Sequence, residues 1–136
     1  MIYLDSCLLI YAVERDAVFG PPVVTAMASV PPMQLCVSPL VRMECLVKPM
    51  RDGHLLLQRR FETALGEFEL LQMTEAVFQQ ATELRARFGL KTPDALHLAC
   101  AMHHGCSALW TNDDRLAKAA HGLALNVLAT ITTVKR

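Results

Sequence analysis

The sequence predicts an α/β fold, with a central, mostly parallel sheet of four to five strands and helices on both faces. Short apolar segments of strand length alternate with segments whose apolar residues recur at helical spacing. Apolar residues make up 53% of the 136 residues, which suits a sheet covered on both faces. The length is typical of one compact domain, which we place at 1–136.

The first elements are marked by turn and cap residues. The opening run MIYLD is apolar, ends in an acid and predicts a buried strand. Ser6 can cap the helix that follows, because its hydroxyl can accept a hydrogen bond from an unpaired N–H. A second helix begins at Pro21-Pro22 and ends at Pro31-Pro32. The segment 34–37 is the second predicted strand.

The central part of the chain predicts two helices. Ser38 caps the first of them, and Pro39 occupies its first turn, where a missing N–H costs nothing. Lys48-Pro49 should end or kink this helix. Its expected inner face consists of Leu40, Met43 and Val47. The other helix spans 51–65, and the apolar residues that we assign to it are Leu55, Leu56, Phe61 and Leu65.

The remaining elements continue the alternation. Thr74 caps a helix that Gly89 ends, and Thr92-Pro93-Asp94 opens the next helix. The predicted strands are 68–73, 108–111 and 123–128, and the predicted helices are 75–88, 92–104 and 113–120.

The charge balance excludes some classes of function. Thirteen Lys and Arg residues offset thirteen Asp and Glu residues, so the formal net charge is zero. This argues against a polybasic nucleic-acid coat and against a membrane-surface binder, and any nucleic acid must be bound locally. No apolar run reaches the roughly 18 residues of a membrane helix, so we expect no membrane association.

The cysteines indicate the compartment. They are odd in number and lie among apolar neighbours, which is typical of reduced, buried thiols rather than of a disulfide framework. We therefore expect a cytoplasmic protein. The five are Cys7, Cys36, Cys45, Cys100 and Cys106.

Acidic residues follow the predicted strands. Asp5 ends the first strand, and Asp113 lies two residues after the strand at 108–111. The carboxyl ends of parallel strands share one edge of a sheet, so both acids point to the same rim. Asp94 can join them from the first turn of its helix. Glu44 has apolar neighbours on both sides and must face either solvent or a polar pocket.

Each acid alone has a structural explanation, since an acid near a helix start is favourable against the helix dipole. Together they suggest chemistry, because converging carboxylates repel one another unless a cation is present. Oxygen ligands suit Mg²⁺, with Mn²⁺ as a possible substitute. A site of this kind can activate water against a phosphodiester.

Four segments in this order resemble one family. They are LDSCLLI, the isolated Glu44 after the second strand, TPDALHLACA and LWTNDDRL. Over essentially the whole chain, the sequence resembles the PIN-domain nucleases, and most of all the VapC-type toxins of bacterial toxin–antitoxin modules. Cys7 departs from the family pattern, which often has Asn or Ser there. The resemblance leaves out Asp114 and assigns the family's catalytic and metal-binding acids to Asp5, Glu44, Asp94 and Asp113.

The resemblance implies a Mg²⁺-dependent endoribonuclease that leaves a 5′-phosphate and a 3′-hydroxyl. It also implies a homodimer and a small cognate antitoxin that blocks the acidic pocket. Ser6 and Thr111 are expected to support the acids from behind. Basic residues near the Glu44 helix either contact RNA or form a solvated helix face, and these residues are Arg42, Lys48, Arg51, Arg59 and Arg60.

Other functions remain open at this stage. A non-catalytic binding or phospho-receiver-like signalling module would also gather acids at strand ends, but it should have an acid pair after the first strand. A DNA nuclease or a phosphatase would need the same carboxylates. Zinc ligands are present in Cys100, His103 and His104, although their spacing matches no common zinc pattern. We expect His97 to be a packed or partly exposed helix residue, and no partner for a metal-independent histidine pair is identifiable.

Overall fold

The computed structural model describes residues 1–119 and 124–126. These residues contain one five-stranded sheet in the order β3-β2-β1-β4-β5, and every neighbouring pair is parallel. The predicted fold class is thereby confirmed. The final residues of the predicted domain, 127–136, lie outside the described part. The strands are β1 (Ile2–Leu4), β2 (Leu35–Val37), β3 (Glu69–Leu70), β4 (Ala108–Thr111) and β5 (Ala124–Asn126).

The helices lie in two layers. By the right-handed rule for crossovers between parallel strands, the connections from β1 to β2 to β3 put the first four helices on one face, and the return from β3 to β4 puts α5 and α6 on the other. In agreement, α1 packs against α2 and α3, whereas α5 packs against α6. The helices are α1 (Ser6–Val13), α2 (Gly20–Ala28), α3 (Pro39–Arg51), α4 (Leu55–Leu65), α5 (Glu75–Phe88), α6 (Thr92–His103) and α7 (Asp114–Ala119).

Most predicted boundaries agree with these elements within a few residues. The strand predicted at 68–73 is reduced to two residues at the edge of the sheet. Gly89 ends α5 in the left-handed conformation, with φ of 67°, as the glycine signal predicts. Residue 120 of the last predicted helix and residues 123, 127 and 128 of the last predicted strand lie outside the described residues.

The caps of α1 and α3 are formed by different side chains. Ser38 caps α3 as predicted, and its hydroxyl oxygen accepts from the N–H of Val41 at 3.4 Å. The cap of α1 is Asp5 rather than Ser6, so that prediction was wrong. Asp5 keeps an extended backbone and accepts from the N–H of Ser6 at 2.8 Å, which makes Ser6 the first helical residue.

The inner face of α3 also differs from the prediction. Met43 and Val47 are each more than half exposed, and Leu40 is half-buried. The core side is formed instead by Val41, Cys45, Leu46 and Pro49. Apolar residues at helical spacing occur on two sides of this helix, so spacing alone could not choose between them. The observed rotation turns Glu44, which follows Val41 by three residues, toward the carboxyl edge of the sheet.

Pro49 does not end α3, which continues to Arg51. A proline at this position removes one helical hydrogen bond, and burial of its ring in the core offsets part of that cost. The next helix therefore begins later than predicted, at Leu55. In α4, Phe61 and Leu65 are buried as expected, whereas Leu55 and Leu56 are more than half exposed.

The core contains one cluster of apolar side chains on both sides of the sheet. From Ala95 to Ala101, every residue of α6 is buried. All five cysteines are free, and four of them are buried while Cys7 is half-buried, as the composition predicted. Among the described residues, no helix is long and apolar enough to cross a bilayer.

Candidate functional site

The strand order reverses beside β1. From β1 the chain moves toward β2, and from β4 it moves in the opposite direction toward β5. In open parallel sheets, ligands bind in the crevice that this divergence leaves at the carboxyl ends of the strands. Asp5 follows β1 directly and Asp113 follows β4 by two residues. The topology therefore places both acids at the crevice.

Asp5 is held rigidly at the centre of this crevice. The residue is only 8% exposed, and its main-chain N–H donates to the carbonyl of Trp110 at 2.9 Å. Its Oδ1 accepts from the N–H of Ser6, and its Oδ2 accepts from the hydroxyl of Thr111 at 2.7 Å. Thr111 Oγ1 in turn accepts from the N–H of Asp113 at 3.0 Å. Thr111 thus links the loop of Asp5 to the loop of Asp113 by hydrogen bonds. Ser6 orients the Asp5 carboxylate through its backbone N–H.

Glu44 reaches the same crevice from the other side of β1. Its Oε1 lies 2.6 Å from Nε2 of His97, and this nitrogen lies 3.7 Å from Oδ1 of Asp5. One ligand atom from each of these three residues falls within 4.8 Å of the other two. Glu44 therefore faces a polar pocket and not open solvent.

Asp94 interacts electrostatically with two of the other acids. Partial burial raises its pKa above the ordinary value, and the charges of Asp113 and Asp5 raise it further. His97 and Lys91 act in the opposite direction. Asp94 is thus part of the same electrostatic cluster, in which the charges of Asp113 and Asp5 disfavour its ionisation.

Asp113 also caps a helix. Its Oδ1 accepts from the N–H groups of Arg115 and Leu116 at 2.9 and 3.4 Å, which anchors the start of α7. Asp114 is the first helical residue and is exposed. The capping bond explains how Asp113 is oriented.

Sequence reasoning missed His97 as part of this site. It is 1% exposed, which agrees with the packed residue that was expected, but its contact with Glu44 was not anticipated. Its spacing was a usable signal, because a residue three positions after Asp94 shares its face of the helix. Tyr3 was missed as well, and its hydroxyl lies 2.6 Å from Nδ1 of His97. Tyr3 precedes Asp5 by two residues, so both lie on the same face of the strand.

The donor set fits a hard divalent cation. It offers carboxylate oxygens from separate elements, and Asp5 is buried with both of its oxygens already oriented by hydrogen bonds. Burial is the main cause of the raised pKa of Asp94, and a positive ion would relieve the second cause, the charges of Asp113 and Asp5. Oxygen ligands of this kind suit Mg²⁺ or Mn²⁺. Of the four predicted ligands, Asp5 and Glu44 have ligand atoms within 4.8 Å of each other, whereas Asp94 is linked to Asp5 and Asp113 through charge.

The structure gives no support to the zinc alternative. His104 Nε2 is engaged with the carbonyl of Gln72 at 2.7 Å, and Cys100 is fully buried. Over residues 1–119 and 124–126, the group of possible metal ligands that converges is Asp5, Glu44 and His97. Cys7 is also disfavoured as a nucleophile, because burial and the charge of Asp5 raise its pKa to about 12.

The predicted RNA-contacting residues differ in their surroundings. Arg42 lies 3.9 Å from Glu62, Lys48 lies 3.7 Å from Glu14, and Arg51 lies 3.2 Å from Asp52. These acids compete with phosphate for the three cations. Arg59 and Arg60 are exposed on α4, and no ion pair joins them to an acid in the part of the chain that the structure describes.

The chain is therefore a small α/β domain with an all-parallel sheet and carboxylates where the strand order reverses. Within that class, the chain belongs to the PIN domain family, whose model matches residues 2–122. No curated protein sequence matches the chain.

Solved structures agree with this assignment at the level of the fold. A toxin–antitoxin complex from Klebsiella pneumoniae is similar with a TM-score of 0.79 and 22% identity, covering 93% of this chain and 98% of that one. FitAcB from Neisseria gonorrhoeae is similar with a TM-score of 0.74 and 20% identity over 94% and 99% of the two chains. The sarcin–ricin-loop-cleaving toxin VapC20 from Mycobacterium tuberculosis has a TM-score of 0.71 and 20% identity over 88% and 95%.

Proposed function

We propose that this protein is a VapC-type toxin, a Mg²⁺-dependent endoribonuclease whose catalytic acids are Asp5, Glu44, Asp94 and Asp113. The observation that carries the proposal is the convergence of acids from separate elements at the crevice of a PIN domain. A structural role alone does not account for this arrangement, because carboxylates that only cap helices have no need to share one pocket.

The site chemistry follows from a divalent cation held by these acids. When bound, such a cation activates water and stabilises the charge that develops on the leaving oxygen. Asp5 is the fixed point, since Ser6 and Thr111 leave its carboxylate no freedom to rotate. Asp94 and Asp113 approach from the starts of α6 and α7. Glu44 completes the set or orients the attacking water.

RNA is the proposed substrate because of the toxin resemblance and because VapC20, a structural relative, is a toxin that cleaves the sarcin–ricin loop. The carboxylates themselves would serve a DNA nuclease or a phosphatase equally well. The receiver-like alternative is less favoured, since the chain belongs to the PIN family and a single acid follows β1 directly.

The proposed partners are a small cognate antitoxin and a second copy of the chain. The solved relatives include toxin–antitoxin complexes, and an antitoxin with a basic side chain would be attracted to the acidic crevice. A homodimer and a cytoplasmic location follow from the same resemblance and from the reduced cysteines. The neighbouring reading frame is a direct check, because a short upstream gene that overlaps this one is expected.

Sequencing of RNA ends after induced expression tests the function. We expect new 5′-phosphate ends at a small number of sites when the chain is induced, and none when the Asp94→Asn variant is induced. The purified protein with Mg²⁺ should cleave the same RNA and leave a DNA strand of the same sequence intact. Cleavage of the DNA strand, or an unchanged set of RNA ends, would contradict the proposal.

Arg59 and Arg60 are expected to contact RNA phosphates. Each phosphate contact with a single strand changes the slope of log affinity against log salt by about 0.7. Replacing both arginines by Gln should therefore weaken binding and flatten the slope by roughly 1.4 units, without changing metal affinity. Titration of a fluorescent RNA at several salt concentrations measures this.

The matched control is the double variant Arg42→Gln, Arg51→Gln. It removes the same charge from residues that already lie beside Glu62 and Asp52, so its slope should change less. An unchanged slope in the Arg59, Arg60 variant would place the RNA-binding surface elsewhere.

A further inference from the structure

A chain of hydrogen bonds runs from the buried Ser38 to Glu44 at the acidic crevice. The Ser38 and Tyr3 hydroxyl oxygens lie 2.7 Å apart, and Tyr3 lies 2.6 Å from Nδ1 of His97. Nε2 of His97 then lies 2.6 Å from Oε1 of Glu44. Ser38, Tyr3 and His97 are each at most 1% exposed, whereas the side chain of Glu44 is 28% exposed. A buried polar chain leads to one edge of the site and ends on a carboxylate.

The direction of these hydrogen bonds follows from what each group can do. An ionised carboxylate only accepts, so Nε2 of His97 donates to Glu44. In a neutral imidazole, Nδ1 then accepts, and the donor is the Tyr3 hydroxyl. The Tyr3 oxygen accepts from Ser38, whose own oxygen accepts from the N–H of Val41 at 3.4 Å. Every member of the chain has a partner, and no buried polar side-chain atom among the described residues is left without one.

Glu44 needs this support more than Asp5 and Asp113 do. Asp5 and Asp113 accept from backbone N–H groups next to them in sequence, which restricts their short side chains. Glu44 is longer and lies in the middle of α3, where no helix start can orient it. Without a partner, its side chain would have to give up its rotamer freedom when a metal binds, which weakens binding.

We propose that His97 is a positioning residue that holds Glu44 in its metal-binding orientation, with Tyr3 and Ser38 fixing the imidazole. The inference rests on the proposed function, because it assigns Glu44 to the metal site. The hydrogen bond occupies Oε1 and leaves Oε2 available to the crevice. It also joins α3 to α6, which lie on opposite faces of the sheet, directly over the end of β1. His97 is not a metal ligand in this arrangement, since its Nε2 carries the proton that Glu44 accepts.

Two amide variants of His97 separate this role from simple core filling. In His97→Gln, the amide nitrogen can occupy the region of Nε2 and still donate to Glu44. In His97→Asn, the shorter amide can still reach Tyr3 but not Glu44. Both variants are neutral and polar, but Asn is one methylene shorter than Gln, so a packing role alone would lower the melting temperature of His97→Asn and leave its Mn²⁺ affinity unchanged.

Binding of Mn²⁺ to the full chain, in the absence of RNA, is the readout. Free Mn²⁺ is quantified by its electron paramagnetic resonance signal during titration. Loss of a partner behind a metal ligand typically weakens metal binding by about 10–100-fold, and we expect this for His97→Asn. His97→Gln should recover binding to within a few-fold of the unmodified protein. Equal binding by His97→Asn and the unmodified protein would overturn the inference.

Two further measurements keep the outcomes distinct. If the unmodified protein does not bind Mn²⁺, the proposed function itself fails; if it binds and His97→Asn binds equally, only the role of His97 fails. Pulsed electron paramagnetic resonance of the Mn²⁺-loaded protein, labelled with ¹⁵N-histidine, should show no nitrogen bound directly to Mn²⁺. A directly bound histidine nitrogen would make His97 a metal ligand instead. Should His97→Asn not melt cooperatively, Tyr3→Phe removes only a hydroxyl, and unchanged Mn²⁺ affinity in that variant would overturn the inference.

Discussion

Replacement of Asp94 by Asn is expected to abolish RNA cleavage while the protein stays folded. The amide keeps the size of the side chain but removes one negative charge from the crevice and one anionic ligand from the cation. Mutation of a residue that only supports a metal ligand typically lowers metal affinity or activity by about 10–100-fold. Loss of a ligand itself should therefore lower the cleavage rate by more than about 100-fold. Initial rates on a defined RNA, measured at saturating Mg²⁺, test this.

The same substitution should stabilise the metal-free protein at neutral pH. The pKa of Asp94 is raised in the folded state by burial and by Asp113 and Asp5, so the folded protein binds this proton more tightly than the unfolded chain does. The free energy of unfolding therefore falls as pH rises above about 3.9, the ordinary aspartate value, and through the folded-state pKa. In EDTA at pH 7, Asp94→Asn should melt at a higher temperature, and this advantage should disappear at lower pH.

Asp114→Asn is the matched control, because it removes the same charge from a neighbouring but exposed acid. Its cleavage rate should stay within a few-fold of the unmodified protein, and its melting temperature in EDTA should show no comparable rise. The opposite ranking of Asp113→Asn and Asp114→Asn in cleavage would show that the wrong member of this acidic pair had been assigned to the site.

The sheet and the position of its acids were predictable from sequence because each depends on local signals. Short apolar runs gave the strands β1, β2 and β4, and an acid directly after a parallel strand has to lie at the carboxyl edge. Gly89 and Ser38 marked helix ends in the same local way. These features need only the chain neighbours of a residue and the rule that parallel strands share an edge.

The rotation of α3 and the role of His97 were not predictable in this way. Two apolar stripes on α3 have equivalent spacing, and only packing against α1 and the sheet decides that Val41 and Cys45 face inward while Met43 and Val47 do not. His97 is 53 residues away from Glu44 in sequence, and their contact depends on that same rotation. A contact between helices on opposite faces of a sheet carries no periodic signal.

Removal of divalent cations is expected to abolish cleavage and to destabilise the protein. With Mg²⁺ or Mn²⁺ withdrawn, the carboxylates of the crevice repel one another without compensation, and after burial this repulsion is the second cause of the raised pKa of Asp94. Ligand binding at one hundred times Kd stabilises a folded protein by about 2.7 kcal/mol. For a domain of this size, this corresponds to a rise of roughly 10 °C in Tm.

Thermal melts in EDTA and across a Mn²⁺ titration measure the stabilisation, and cleavage assays on the same samples measure activity. Asp94→Asn should show a smaller rise in Tm with Mn²⁺, because it lacks one ligand and begins from a less repulsive site. Asp114→Asn should follow the unmodified protein in both assays. Cleavage that persists after exhaustive chelation would exclude carboxylate-held metal as the source of activity. The remaining acid–base candidate in the crevice would then be the pair formed by His97 and Glu44, since these are the titratable side chains already in hydrogen-bond contact there.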